Sequence, residues 1–170
     1  MVECVLEVCI FVGKNLSIFM VSFTGEFESR ADVKGRIVLP SDFKKAVGQD
    51  EFRFIARKHI FKNCLEIYPY SYWEEMLKQI RKKLNPYNRD HDRLMRSFFK
   101  KTVELQLDGN GRFLIPRRLM EQVGGDRDVI LIGIDKKIEL WDKEVYYSEE
   151  DDPDVIASLT QDILGDSFWE

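Results

Sequence analysis

Two five-residue stretches hold the residue types that could do chemistry in this chain: Asp32-Val33-Lys34-Gly35-Arg36 and Asp108-Gly109-Asn110-Gly111-Arg112. In each, an aspartate stands four residues before an arginine, and a glycine directly precedes that arginine. Aspartate bonds its own downstream backbone and glycine accepts a positive φ, so Asp-x-x-Gly signals a tight turn. The turn also brings the carboxylate close enough to orient the guanidinium. An oriented arginine can fork onto guanine O6 and N7 or onto a phosphate, so the chemistry on offer is recognition rather than bond making. The alternative is an Asp–Arg ion pair that only stabilises its turn. Arg36 and Arg112 are the candidate DNA contacts, with Asp32, Gly35, Asp108 and Gly111 setting their geometry. Lys34, Arg30, Arg117 and Arg118 are neighbouring candidates for phosphate contacts.

Other chemistries find little support. His59 and His91 fall outside any metal or triad spacing, and neither a Gly-rich phosphate loop nor a nucleophile elbow occurs. The acidic run Glu149 to Asp154 lacks the central glycine and terminal glutamate of a calcium loop. Cys4, Cys9 and Cys64 are too few for a disulfide framework, and the first two are wrongly spaced for a zinc knuckle, which points to a reducing cytoplasm. No enzyme activity, cofactor, metal or small-molecule substrate is expected.

The turns must be positioned by something, and an internal repeat supplies it. Asp32-Val-Lys-Gly-Arg-Ile-Val-Leu-Pro40 returns as Asp108-Gly-Asn-Gly-Arg-Phe-Leu-Ile-Pro116, 76 residues later. The match continues through Val47-Gly48 and Val123-Gly124 and through Asp50 and Asp126. It then shifts to a spacing of 73, where Leu65-Glu66-Ile67-Tyr68 returns as Ile138-Glu139-Leu140-Trp141. A three-residue difference in loop length accounts for the shift.

Each copy reads as an extended segment (23–28; 103–107), the tight turn, and a return strand forming a hairpin (37–39; 113–115). A proline ends that strand and suits a first helical turn. A short helix follows, 41–47 in one copy and 117–123 in the other, each stopped by a glycine. Two more strands complete the unit: 53–56 and 64–68, then 128–132 and 137–141. A unit of about 45 residues leaves too much apolar surface in water, so two copies are expected to pair into one pseudo-symmetric barrel. The fold class is therefore α+β, mainly β.

Between the copies lies a helical insertion, 71–101. Ser71-x-x-Glu74 reads as a capping box, with Trp73, Met76, Leu77, Ile80 and Leu84 on one face up to the stop at Asn85-Pro86. A second helix near 89–101 should turn Leu94, Met95, Phe98 and Phe99 inward. Its outer face would carry Arg89, Arg93, Arg96 and Lys100, to pair with acids of a neighbouring subunit or the tail, or to meet DNA. Trp73, Phe98, Phe99 and Trp141 read as core or interface packing.

The net charge of −4 conceals an uneven distribution. From Asp142 to Glu170 ten acids oppose Lys143, a local −9, whereas Lys78 to Lys101 sets nine bases against Asp90 and Asp92, a local +7. A basic body with an acidic tail suits a polyanionic partner better than the total suggests. The tail, 148–170, is expected to lack fixed structure, although Val155, Ile156, Leu159 and Ile163 could form one short amphipathic helix. No apolar run reaches the roughly 18 residues of a membrane span; Val5 to Val12 is broken by Glu7.

The sequence resembles the MraZ family, whose members carry two SpoVT-AbrB type domains in tandem. The resemblance rests on both Asp-x-x-Gly-Arg motifs with their prolines and on Met20-x-Phe-x-Gly25-Glu26. It extends through Cys64-Leu-Glu-Ile-Tyr-Pro69 followed by Trp73, Arg96-x-Phe98-Phe99, and Ile138-Glu139-Leu140-Trp141. It implies AbrB-like swapped-hairpin repeats at 20–70 and 102–147. It also implies a ring-forming homo-oligomer in the cytoplasm, at the nucleoid, binding direct repeats in double-stranded DNA at the promoter of the division and cell-wall gene cluster. Residues 1–19 precede the family's usual start and read as a start codon set too far upstream. Two other readings stand beside this one: an antitoxin-like AbrB-fold protein whose tail wraps a toxic partner, and a non-enzymatic assembly scaffold.

Overall fold

Four strand pairs join one repeat to the other in this computed structural model, which describes residues 21–48, 51–125, 127–149 and 152–165. The expectations for 1–19 and for the end of the tail lie outside the described residues. Strand β1 (Phe23–Arg30) leads through the first Asp-x-x-Gly turn to β2 (Arg36–Val38), α1 (Ser41–Val47), β3 (Arg53–Lys58) and β4 (Leu65–Pro69). The insertion forms α2 (Tyr70–Lys83) and α3 (Arg89–Phe99). The second repeat follows as β5 (Val103–Gln106), β6 (Arg112–Leu114), α4 (Arg117–Met120), β7 (Asp128–Asp135) and β8 (Lys137–Asp142). Then come α5 (Lys143–Ser148) and α6 (Pro153–Leu164). The fold is α+β and mainly antiparallel sheet.

A six-stranded sheet runs in the order β1-β7-β8-β4-β3-β5, and β2 pairs with β6 in a separate two-stranded sheet. The order reads the same from either end when the repeats are exchanged. At the centre Glu66 faces Glu139, and in the small sheet Ile37 faces Phe113. A pseudo-twofold axis therefore relates the halves.

The expected hairpin within each repeat does not form as a ladder. The turn closes, with Asp32 N donating to Arg36 O at 3.0 Å, but β1 then follows β7 and β2 follows β6. The arms part because Ile37, Leu39, Phe113 and Ile115 are buried between the two sheets, which needs the strands to diverge into separate layers. Phe23 meets Phe43 edge-on at 5.4 Å and Phe54 meets Phe113 at 4.9 Å, the preferred geometry for aromatic rings in that core.

Helix α1 matches its expected span, bracketed by Pro40 and by Gly48 at φ +78°. Helix α4 is only four residues long, because the chain tightens at once into turns in which Gln122 N donates to Leu119 O and Val123 N to Met120 O. The capping box at Ser71 is absent: α2 begins at Tyr70, and Ser71 N donates instead to Glu51 Oε2 at 3.2 Å. Helix α3 buries none of its residues, and Leu94 and Phe99 remain exposed, contrary to the inward placement expected for them. In the tail, Pro153–Leu164 form α6 with Asp152 as N-cap, the short amphipathic helix that Val155, Ile156, Leu159 and Ile163 allowed, in place of a segment without fixed structure.

Candidate nucleic-acid interface

The two turns are near-copies. Asp32 Oδ1 accepts from the backbone N–H of Lys34 at 2.8 Å and of Arg36 at 3.0 Å, and Oδ2 accepts from Arg36 Nε at 2.6 Å. Asp108 Oδ1 accepts from Asn110 N at 2.9 Å and Arg112 N at 3.0 Å. Its Oδ2 takes Arg112 Nε at 2.8 Å and Nη2 at 2.7 Å. Gly35 and Gly111 sit at φ +80° and +69°, the left-handed conformation that lets each chain double back before its arginine.

Pairing of β2 with β6 joins the turns into one surface. The register sets Arg36 opposite Leu114 and Val38 opposite Arg112, and the ladder continues with Leu39 N donating to Gly111 O and Ile115 N to Gly35 O, both at 3.0 Å. Because side chains alternate along a strand, burying Ile37 and Phe113 turns Arg36, Val38, Arg112 and Leu114 outward. Val38 and Leu114 are 50% and 56% exposed, and the two arginines are half-buried against their aspartates. A two-stranded ribbon is narrow enough for a DNA major groove.

The electrostatics hold this arrangement ionised. The backbone N–H of Arg36, then its guanidinium, pull the Asp32 carboxyl down to about 2 against desolvation. Asp108 is lowered too, first by the Arg112 side chain, and the Arg112 guanidinium is raised by Asp108 and, more weakly, by Asp32 of the other turn.

Lys34 lies in the first turn and is exposed. Arg30 stands at the base of that turn, paired with Asp128 at 3.4 Å. Arg117 and Arg118 open α4 just beyond the Ile115–Gly35 bond, so they too lie at the first turn. Arg117 is tied to Glu121 at 2.9 Å. Three further residues share this surface that the sequence reading did not single out. Val38 and Leu114 carry the ribbon's apolar outer surface, which strand alternation in the sequence could have indicated. Lys44 of α1 places its amine where a Cβ on Gly111 would be, beside the second turn. Its counterpart in the other repeat is the buried Met120, so the two ends of the ribbon differ in charge.

The family whose profile matches residues 22–96 and 98–154 is described as "MraZ protein, putative antitoxin-like". The chain belongs to the MraZ family. Among similar MraZ proteins, one from Bacteroides fragilis is 40% identical over 126 residues, covering 74% of this chain and 80% of that one. One from Bacteroides thetaiotaomicron is 38% identical over 148 residues, 86% and 95% of the two chains. A third, from Christiangramia forsetii, is 32% identical over 155 residues, 89% and 98%. Each of the three is named "Transcriptional regulator MraZ". Both turns lie within the MraZ match, whereas nearly all of α6 lies beyond it. Among the described residues no group of His, Cys, Asp and Glu could hold a metal ion, and no helix is long and apolar enough to cross a membrane.

Proposed function

We propose that this MraZ chain is a sequence-specific DNA-binding transcriptional regulator that reads direct repeats in the promoter of the division and cell-wall gene cluster, its own gene included. The observation that carries the reading is the outward placement of Arg36 and Arg112 on the β2–β6 ribbon, each held by an aspartate in a closely similar turn. A guanidinium fixed along one edge keeps further N–H donors for guanine O6 and N7, and Val38 and Leu114 beside it suit a thymine methyl. Lys34, Arg30, Arg117 and Arg118 supply phosphate contacts around the first turn.

In this reading residues 20–70 and 102–147 are SpoVT-AbrB repeats that exchange strands as swapped hairpins. The protein works as a homo-oligomeric ring at the nucleoid, in the cytoplasm. A ring engages several tandem sites, and the gain in effective concentration turns weak single contacts into firm binding.

The test is a fluorescence-anisotropy titration at stated salt with the promoter duplex and a scrambled duplex of equal length. Preference for the promoter that vanishes in Arg36→Ala/Arg112→Ala, while the oligomer persists, supports the reading. Equal affinity for both duplexes, or collapse of the oligomer in the variant, contradicts it.

A further inference from the structure

Two surfaces of this chain remain uncovered, and they are complementary. Helix α6 presents Val155, Ile156, Leu159 and Ile163 as one aliphatic stripe, 45–74% exposed. Its only charged residues are Asp154 and Asp162, and Asp152 caps its start. No basic residue follows Lys143.

The second surface is the hairpin of α2 and α3. Between these helices lies a cleft of about 280 Å³ floored by Trp73, Leu77 and Phe99, with Glu74, Arg81 and Lys78 at its rim, Lys78 also reaching Glu75 at 3.4 Å. Arg81 also borders a neighbouring apolar hollow of about 300 Å³ that includes Leu84 and Met95. Leu94 and Phe99 are exposed, and Arg81, Arg89 and Arg93 form no ion pair among the described residues. Residues 70–101, the hairpin with its flank, set nine bases against Glu74, Glu75, Asp90 and Asp92, a local +5, where residues 142–170 carry −9.

We propose that α6 of one copy docks into the basic-rimmed groove between α2 and α3 of a second copy. An amphipathic helix laid apolar face down in a hydrophobic groove is a recurrent mode of recognition, and here acids at the edge of the stripe meet bases at the rim. Docking between two different surfaces is heterologous, so each copy offers one helix and one groove, and the contact propagates head to tail until it closes. The inference rests on the ring assembly proposed above and names a contact that would build it. Within a single chain α2 packs on β3 and β4, while the tail leaves from α5 on β7 and β8, and the stripe of α6 stays in solvent.

The experiment measures mass in solution, without DNA, by light scattering after size exclusion. Leu159→Asp/Ile163→Asp spoils the helix stripe, and Lys78→Glu/Arg81→Glu spoils the rim; all four residues are exposed, and circular dichroism checks that each variant is folded. Each variant alone should fall to the mass of one chain. An equimolar mixture should give the mass of two chains, because the intact helix of the rim variant still finds the intact groove of the stripe variant.

A mixture that stays at one chain overturns the proposal in favour of docking within a chain. Either variant keeping the wild-type mass overturns it as well. If the rim variant keeps its mass but loses DNA affinity, the hairpin is a DNA surface and the proposal fails. Wild type at the mass of one chain defeats both the ring reading and this one, whereas intact rings in both variants defeat only this one.

Discussion

Glu66 and Glu139 face each other directly across β4 and β8, both buried, with Lys137 Nζ 2.7 Å from Glu66 Oε1 and 3.0 Å from Glu139 Oε1. The pseudo-twofold brings the same residue of each repeat to the axis, so two like charges meet inside the protein. The repeats answer this unequally. The position that is Lys137 in the second repeat is Cys64 in the first, and Arg57 reaches Glu66 at 3.3 Å from a site where the second repeat has Ile132. Burial alone would raise the Glu139 carboxyl. The bond from Lys137, with help from Lys62 and Trp141, outweighs burial and leaves it lowered.

Removing that shared cation should therefore be costly. Lys137→Ala is expected to lose less at neutral pH than the penalty of about 3–5 kcal/mol for a wholly orphaned buried charge, because Arg57 stays on Glu66 and Lys62 on Glu139. Near pH 4 the loss should shrink, because a carboxylate deprived of its cation binds a proton more readily. Urea denaturation at both pH values measures it; an equal loss at each would show that the lysine acts by packing alone.

The apolar outer surface of the ribbon separates recognition from folding. Val38→Ala/Leu114→Ala removes side chains that are at least half exposed, so the melting temperature should change little. Affinity for the promoter duplex should nevertheless fall several-fold, with little change for a scrambled duplex, since methyl contacts carry sequence information. Unchanged discrimination would remove these two residues from the interface.

Acid should act through the turns. Asp32 titrates at about 2 in the folded chain instead of its ordinary 3.8. A carboxylate lowered on folding contributes stability that is complete above its unfolded value and disappears as pH falls toward the folded one. The melting-temperature difference between wild type and Asp32→Asn should thus be constant above about pH 5 and narrow between pH 4 and pH 2. A difference that stays constant through this window would mean that the Asp32–Arg36 bonds contribute no pH-dependent stability.

Gly35→Ala and Gly111→Ala should each cost about 1–2 kcal/mol, the strain of a side chain held in the left-handed region. Only the second should also displace the Lys44 amine. We expect Gly111→Ala, like Lys44→Ala, to lower affinity for all duplexes alike and to reduce the salt slope of binding by about 0.9. A slope equal to wild type in both variants would place Lys44 away from phosphate.

What the sequence made legible was what local chemistry decides. The span of α1 follows from Pro40 and Gly48, and both turns follow from Asp-x-x-Gly. Choices made by distant segments were hidden. Glu51, not Glu74, serves the N-terminus of α2, because a carboxylate from another segment reaches it first. The partner of β2 is decided by which strands must share a core, and the position of Lys44 depends on that partner. The apolar spacing of α3 was read correctly as amphipathic, yet spacing does not say whether one chain contains the surface that covers it. On the β2–β6 ribbon the two arginines were legible from repetition, whereas the outward placement of Val38 and Leu114 depends on which strands share the core.

Pairing of β1 with β7 also sets a timetable for synthesis. The partner of Phe23 is Asp135, so the first strand leaves the ribosome roughly 100 residues before its neighbour exists. At about 5–20 residues per second, β1 of the nascent first repeat waits on the order of 5–20 s for the strand that pairs with it. In that interval a neighbouring nascent chain on the same messenger offers an identical first repeat. Entangled dimers formed co-translationally are then the misassembly to expect of this strand order, and slow elongation through the codons for the α2–α3 insertion should increase their yield.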